Sequence, residues 1–285
     1  MNMRIRKPYV AGMFYEANPE LLKRQIEECF LHRLGPGKLP EKAKKYEVFG
    51  LIVPHAGYMY SGPVAAHAYY VLSQARKSKY FIIIGPNHSG MGSPIAVASE
   101  DAWEMPFGKV KVNIDYARCI SARSGIASID SRAHLYEHSV EVQIPFLQFL
   151  YGSDFEIIPV TMLLQNYEAS RRVGEALAEC ISEYGDAVVI ASTDFTHYES
   201  AENAHRKDKL AIERILELDS RGLYDVVIEN EITMCGYGPV IVLIEAAKKL
   251  GYTNIKILKY ATSGDITGDY SSVVAYASFV IFKSE

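Results

Sequence analysis

The chain has 285 residues, of which 49% are hydrophobic and 22% are charged, and its formal net charge is -4 at pH 7. This length and composition allow a sizeable core, and α/β chains of this size are often one domain. The net negative charge, without basic blocks among aromatic residues, argues against the nucleic-acid-binding classes. The N-terminal region lacks a signal-type apolar run and no apolar stretch is long enough to span a membrane, so we predict a cytoplasmic protein with no membrane partner.

The regular elements follow one another in an alternating pattern of strands and helices. In chain order the sequence predicts helix 19–31, strand 47–53, helix 61–75, strand 80–84, a hairpin within 95–112, helix 115–124, helix 139–150 interrupted near Pro145, strand 155–162, helix 168–185, strand 187–192, helices 202–219, 223–230 and 239–251, and strands 255–261 and 273–282. This alternation indicates an α/β fold with a central, mostly parallel sheet flanked by helices on both faces. With no linker or internal repeat in view, we predict a single domain over 1–285.

Four cysteines are scattered along the chain, and no two form a CxxC pair. A structural zinc knuckle is therefore not expected, and neither is a disulfide framework in so long a chain. Cys29, Cys119 and Cys180 fall within helical patterns, where we interpret them as small buried hydrophobic residues.

Three apolar strands each lead to a histidine, namely His55, His88 and His197. Ligands of open α/β sheets bind beyond the carboxyl ends of the strands, so these histidines stand where a site is expected. Imidazole is a common ligand of zinc, copper, iron and nickel. A single histidine at a strand exit can be structural, but matching positions on several strands favour a shared site.

Asp194 precedes His197 by three residues in the segment STDFTH. Its carboxylate could orient the imidazole and raise its basicity. Alternatively, it could cap the helix predicted to begin near residue 200. Both interpretations are compatible with the sequence.

Cys235 lies in TMCGYGP, directly before a helix. A thiol at a helix N-terminus has a lowered pKa, and its thiolate serves as a metal ligand or a nucleophile. The alternative is a buried cysteine that only fills space. The glycines around it favour a close approach of the backbone over simple core packing.

His138 and Glu141 lie three residues apart in the segment EHSVEVQ. On a helix they would face the same side and could support a neighbouring metal ligand. Equally, Ser139 could be the helix N-cap, with Glu141 in the favourable first turn. Nucleotide-binding and common hydrolase motifs, such as GxxxxGK[ST], GxGxxG, GxSxG and HExxH, are absent from the sequence.

Several longer motifs together resemble one known family, the Memo family, whose prokaryotic members are called AmmeMemoRadiSam system protein B. The motifs are VAGMFY (10–15), PHAGYMYSGPVAA (54–66), GPNH (85–88), EHSVEVQIPFL (137–147), STDFTH (192–197), CGYGP (235–239) and TSGDITGDYSSVV (262–274). They cover nearly the whole chain in the family order. One departure is Glu16, which stands where the family usually has proline.

The resemblance implies a fold similar to the class III extradiol dioxygenases, which hold iron(II) with two histidines and a carboxylate. By this resemblance His55 and His88 correspond to the two histidine ligands, and Cys235 stands in place of the glutamate. His197 corresponds to the acid–base histidine, with Asp194 beside it. A thiolate ligand shifts the preference towards copper(I), or changes the redox behaviour of iron. The resemblance thus implies an iron or copper cofactor.

Three hypotheses of function follow. In the first, the chain is a metal-dependent redox protein with an altered or vestigial dioxygenase-like site and a small aromatic or redox-active ligand. In the second, it is a non-catalytic module that binds a metal or a partner peptide in the same cleft. In the third, Cys235 is a metal-free nucleophile with His197 as its base.

Overall fold

Strands and helices alternate along the chain as the sequence predicts. The computed structural model describes residues 3–41, 47–185 and 187–283. The strands are β1 (Ile5–Arg6), β2 (Glu47–Val53), β3 (Tyr80–Pro86), β4 (Ile95–Val97), β5 (Ala102–Met105), β6 (Gly108–Val112), β7 (Ser128–Ile129), β8 (Glu156–Met162), β9 (Ala187–Ser192), β10 (His197–Glu199), β11 (Asn254–Thr262) and β12 (Val273–Lys283).

The helices cover both faces of the sheet. They are α1 (Pro19–Leu31), α2 (Tyr58–Ser73), α3 (Ile114–Ser124), α4 (Ile144–Tyr151), α5 (Tyr167–Tyr184), α6 (Ala201–Leu216), α7 (Ser220–Glu229), α8 (Tyr237–Lys249) and α9 (Gly264–Thr267). Within the described residues, none of these helices combines the length and the apolar character that crossing a membrane requires.

The strands form one large mixed sheet in the order β1-β5-β6-β8-β3-β9-β2-β12-β10. Its centre, from β6 through β8, β3 and β9 to β2, is parallel. Beyond β2 the sheet continues antiparallel, because β12 pairs antiparallel with β2, β10 and β11. The predicted α/β class, with a mostly parallel sheet flanked by helices, is confirmed.

The central strands are apolar along nearly their whole length because both of their faces are covered. Successive residues of β3 alternate between two cores: Ile82 and Ile84 belong to one apolar cluster, and Ile83 belongs to the other. The first cluster includes Val173 of α5, and the second includes Phe30 of α1. This arrangement explains the continuous apolar runs that the sequence shows.

Local signals set several helix boundaries. The Asn18 side chain accepts hydrogen bonds from the backbone N–H groups of Glu20 and Leu21, at 2.9 and 3.1 Å, so α1 begins where predicted. Helix α2 begins at Tyr58, earlier than predicted, which places Pro63 inside the helix. The predicted helix 139–150 is a 3₁₀ turn, Glu141–Gln143, followed by α4, with Pro145 at its start.

One expectation about the cysteines is wrong. Cys119 of α3 and Cys180 of α5 form a disulfide with their Cα atoms 6.0 Å apart. The two cysteines lie 61 residues apart in sequence, and only the packing of α3 beside α5 brings them together. Cys29 is free and buried, as predicted.

Candidate metal centre

Three neighbouring parallel strands carry the candidate residues to one edge of the sheet. β3, β9 and β2 lie side by side, and they lead to His88, Asp194 and His55, respectively. The rings of His55 and His88 meet edge-to-face with centroids 5.3 Å apart. The structure therefore brings together two of the three histidines that the strand pattern singled out, His55 and His88.

His55 is buried and is held on both ring nitrogens. Its Nδ1 lies 2.9 Å from Ser192 Oγ, and its Nε2 lies 3.2 Å from Cys235 Sγ. Burial, together with the nearby His88 and His138 rings, lowers the pKa of His55 well below its usual range. The imidazole is therefore neutral at pH 7, the form that binds metals.

His88 is backed by a buried carboxylate, Glu137. Glu137 accepts a hydrogen bond from the backbone N–H of His88 and lies 3.0 Å from its Nδ1. Burial alone would raise the pKa of Glu137, but the hydrogen bond and charge of His88, with the Ser139 backbone N–H, lower it to about 2. The ionised carboxylate accepts a hydrogen bond from Nδ1 of His88, so Nε2 is the ring nitrogen that faces away from Glu137, an arrangement common behind metal-binding histidines.

Cys235 lies on the loop before α8 and faces His55. The backbone N–H of Asp194 donates to its sulfur at 3.3 Å. Gly236 permits the close approach of this loop, because a Cβ there would lie 2.4 Å from the Ser192 carbonyl oxygen. Burial and the Asp194 carboxyl raise the pKa of the thiol, in contrast to the lowered pKa expected at a helix N-terminus. A raised thiol pKa does not favour the metal-free nucleophile hypothesis.

His55, His88 and Cys235 can each offer one donor atom, and these three atoms lie within 4.8 Å of one another. Donor atoms that share one ion, with bonds of about 2.0–2.3 Å, lie at most about 4.6 Å apart. The 3.2 Å between His55 Nε2 and Cys235 Sγ is well within that limit. His55 and Cys235 therefore fit one ion at this distance, and His88, within the 4.8 Å span, completes a set of donor types suited to iron or copper.

Among the described residues no hydrogen bond joins Asp194 to His197, although the charge of His197 lowers the pKa of the Asp194 carboxyl. Asp194 Oδ1 accepts the backbone N–H of His55 at 2.8 Å, and burial raises the pKa of the carboxyl to about 6 despite this bond. The His197 ring is held by Thr233 instead, with Nδ1 2.8 Å from the Thr233 carbonyl oxygen. Helix α6 is capped by Ser200, so Asp194 is not a cap either.

His138 belongs to the site. Its ring stacks on His88 with centroids 4.6 Å apart and meets His55 edge-on at 5.5 Å. It also contacts the ring of Phe14, with centroids 4.8 Å apart. Burial lowers the pKa of His138 to about 4, so this imidazole is neutral at pH 7.

Glu141 lies in the first turn of the 3₁₀ helix, as one of the two alternatives predicted, and its side chain also has a structural role. Its carboxylate is buried, forms a 2.6 Å ion pair with Arg6 and accepts the Val10 N–H at 2.9 Å and the Tyr15 hydroxyl at 2.7 Å. It thus anchors the N-terminal segment against the loop that carries Glu137. The predicted N-cap serine, Ser139, donates instead to the Pro86 carbonyl at 2.8 Å.

Comparison with known proteins agrees with this architecture. The family model described as Memo-like protein matches residues 6–280. A MEMO1 family protein of Methanothermobacter thermautotrophicus is 51% identical over 96% of this chain and 99% of its own length, and one of Methanopyrus kandleri is 47% identical over 96% and 98%. The fold alone is shared with an uncharacterized Escherichia coli K12 protein, JW3007, at a TM-score of 0.56 and 12% identity, covering 81% of this chain and 99% of that one. The chain therefore belongs to the Memo family.

Proposed function

We propose that this Memo family protein binds one iron or copper ion through His55, His88 and Cys235, and that it acts in redox chemistry on a small aromatic or redox-active ligand. The observation that carries the proposal is the convergence of two imidazoles and one thiol, one donor atom each, within 4.8 Å. Two neutral imidazoles and a thiolate suit copper(I) and also iron. Such an ion would supply one-electron redox chemistry and open positions for a ligand.

Metal binding must displace the proton of the Cys235 thiol. Burial beside Asp194 raises the pKa of this thiol, so it is protonated at neutral pH before metal binds. We expect one ion per chain in anaerobic titrations of metal-free protein with iron(II) or copper(I) against a competing chelator. The affinity should fall about tenfold for each unit by which pH is lowered, because one proton competes with the ion. A stoichiometry of zero for both ions would overturn the proposal.

His197 is the residue proposed to move a proton. The Thr233 carbonyl can only accept a hydrogen bond, so Nδ1 of His197 carries a proton and donates it to this oxygen. In the neutral ring, Nε2 then has a lone pair. Nε2 can therefore accept a proton from a ligand hydroxyl or thiol, giving an imidazolium. The proposed part of Asp194 is indirect, because it fixes the backbone of His55.

Replacing His197 with glutamine should leave metal stoichiometry unchanged and lower turnover by about 10²–10⁴-fold, the usual contribution of general acid–base help. Turnover is measured as oxygen consumption with catechol-type and thiol compounds. His205→Gln is the matched control, because His205 lies on the exposed face of α6. Equal turnover in the two variants would remove His197 from the reaction.

The alternative function is a non-catalytic module that binds a metal or a partner peptide in the same cleft. Exposed apolar side chains close in sequence to site residues favour it: Met13 beside Phe14, Met59 four residues after His55, and Tyr198 beside His197. It becomes the better proposal if the compound screen gives no turnover above free metal while a peptide partner requires an intact cleft. The cytoplasmic location stays a prediction.

A further inference from the structure

Behind His55, on the side away from Cys235, buried polar groups form a continuous chain of hydrogen bonds. Ser192 Oγ lies 2.9 Å from His55 Nδ1, 2.9 Å from Gln143 Nε2 and 2.6 Å from the Ser139 carbonyl oxygen. Gln143 Nε2 also lies 3.0 Å from the Pro54 carbonyl oxygen. Ser192 and Gln143 are both buried, so bulk water does not replace either partner.

The direction of each bond in this chain is fixed by groups that can only accept. The Pro54 carbonyl has no proton to give, so the atom of Gln143 that faces it must be the NH₂ group. The Tyr69 hydroxyl, 2.7 Å from Gln143 Oε1, is placed to donate to the carbonyl end of the same amide. The second N–H of Gln143 therefore points at Ser192 Oγ as a donor.

Ser192 has one hydroxyl proton. It is donated in a hydrogen bond to the Ser139 carbonyl oxygen, because that oxygen too can only accept hydrogen bonds. The two lone pairs of Ser192 Oγ remain. One accepts the Gln143 N–H, and the other faces His55 Nδ1. Nδ1 must then carry a proton, because otherwise two lone pairs would face each other in a buried place.

We propose that Ser192, itself oriented by Gln143 and Ser139, is a positioning residue that locks His55 in the tautomer protonated at Nδ1. In this tautomer Nε2 has a lone pair directed at the Cys235 side of the ring, 3.2 Å from the sulfur. The part of the inference that concerns metal affinity rests on the proposed function. The tautomer itself does not, because the chain of bonds consists of protein groups alone.

The tautomer is tested first, on metal-free wild-type protein labelled with ¹⁵N-histidine. Long-range ¹H–¹⁵N correlation spectra distinguish protonated from unprotonated ring nitrogens, and the His55 signals are assigned by their loss in His55→Gln. We expect Nδ1 in the protonated range and Nε2 in the unprotonated range. The reverse pattern, or an average of the two, overturns the inference whether or not the protein binds metal.

The effect on the ion is tested with Ser192→Ala and Ser192→Thr. Loss of such a partner behind a metal-binding histidine typically lowers affinity by about 10–100-fold. We expect that loss for iron(II) or copper(I) in Ser192→Ala, with averaged His55 tautomer signals. Ser192→Thr keeps the hydroxyl, so it should restore both the affinity and the wild-type tautomer.

Ser278→Ala is the matched control, because Ser278 is a buried serine of β12 whose Oγ has no hydrogen-bond partner within the described residues. It should change neither the tautomer nor the affinity. An affinity in Ser192→Ala within twofold of wild type overturns the inference and leaves the proposed metal binding intact. Absence of metal binding in wild type overturns the proposed function, and the tautomer spectra then decide the inference alone. If Ser192→Ala fails to fold, the wild-type spectra and the Ser192→Thr affinity still decide it.

Discussion

Replacing Cys235 with serine is expected to lower the affinity for copper(I) by more than about 100-fold. Loss of a residue that hydrogen-bonds to a metal ligand already lowers metal affinity by about 10–100-fold, and this substitution removes a ligand itself. The thiolate is the soft member of the donor set, and copper(I) prefers soft ligands. The affinity for iron(II) should fall less, so the ratio of the two affinities should shift towards iron.

Cys29→Ser is the matched control for this variant. Cys29 is the other free cysteine among the described residues, and it is buried with its sulfur 3.8 Å from the Tyr58 carbonyl oxygen. Burial raises the pKa of its thiol to about 12, so it remains protonated and does not compete for the ion. Both variants are titrated anaerobically with each ion. Equal copper(I) affinities in the two would show that Cys235 is not a ligand.

Much of the candidate site follows from the sequence because strand ends carry positional information. His55 and His88 each stand just after an apolar run, and the parallel strands β2 and β3, with only β9 between them, bring these positions to one edge of the sheet. The strand pattern does not predict that Cys235 joins the site, because strand periodicity does not locate the loop before α8. The neighbouring glycine and the family motif CGYGP were the signals that predicted Cys235 as a site residue.

The supporting groups could not be predicted in the same way. Glu137 reaches His88 across 49 residues, and Ser192 reaches His55 across 137. The acceptor that holds His197 is a backbone carbonyl, that of Thr233, which no side-chain pattern identifies. Apolar periodicity reports burial and element type, but hydrogen bonds between distant loops depend on the detailed packing of those loops.

The disulfide between Cys119 and Cys180 also depends on packing between distant segments, so the sequence pattern could not predict it. Its removal is expected to have a large effect on stability. Replacing both cysteines with alanine should lower the free energy of unfolding by about 4 kcal/mol. This value is the free energy that corresponds to the conformational entropy gained by the unfolded chain when a cross-link between residues 61 positions apart is removed. For a chain of 285 residues the melting temperature should fall by about 7 °C.

The measurement is thermal unfolding of wild type and of the double variant, each with and without a reductant able to reach the unfolded chain. Reductant should lower the melting temperature of wild type towards that of the double variant and leave the double variant unchanged. Cys29→Ala serves as the control for loss of a buried sulfur, because Cys29 makes no cross-link and its removal costs only packing. If the double variant melts no lower than the control, the cross-link does not stabilise the packing of α3 on α5. The two sulfurs would then act as the small buried hydrophobic groups that the sequence first suggested.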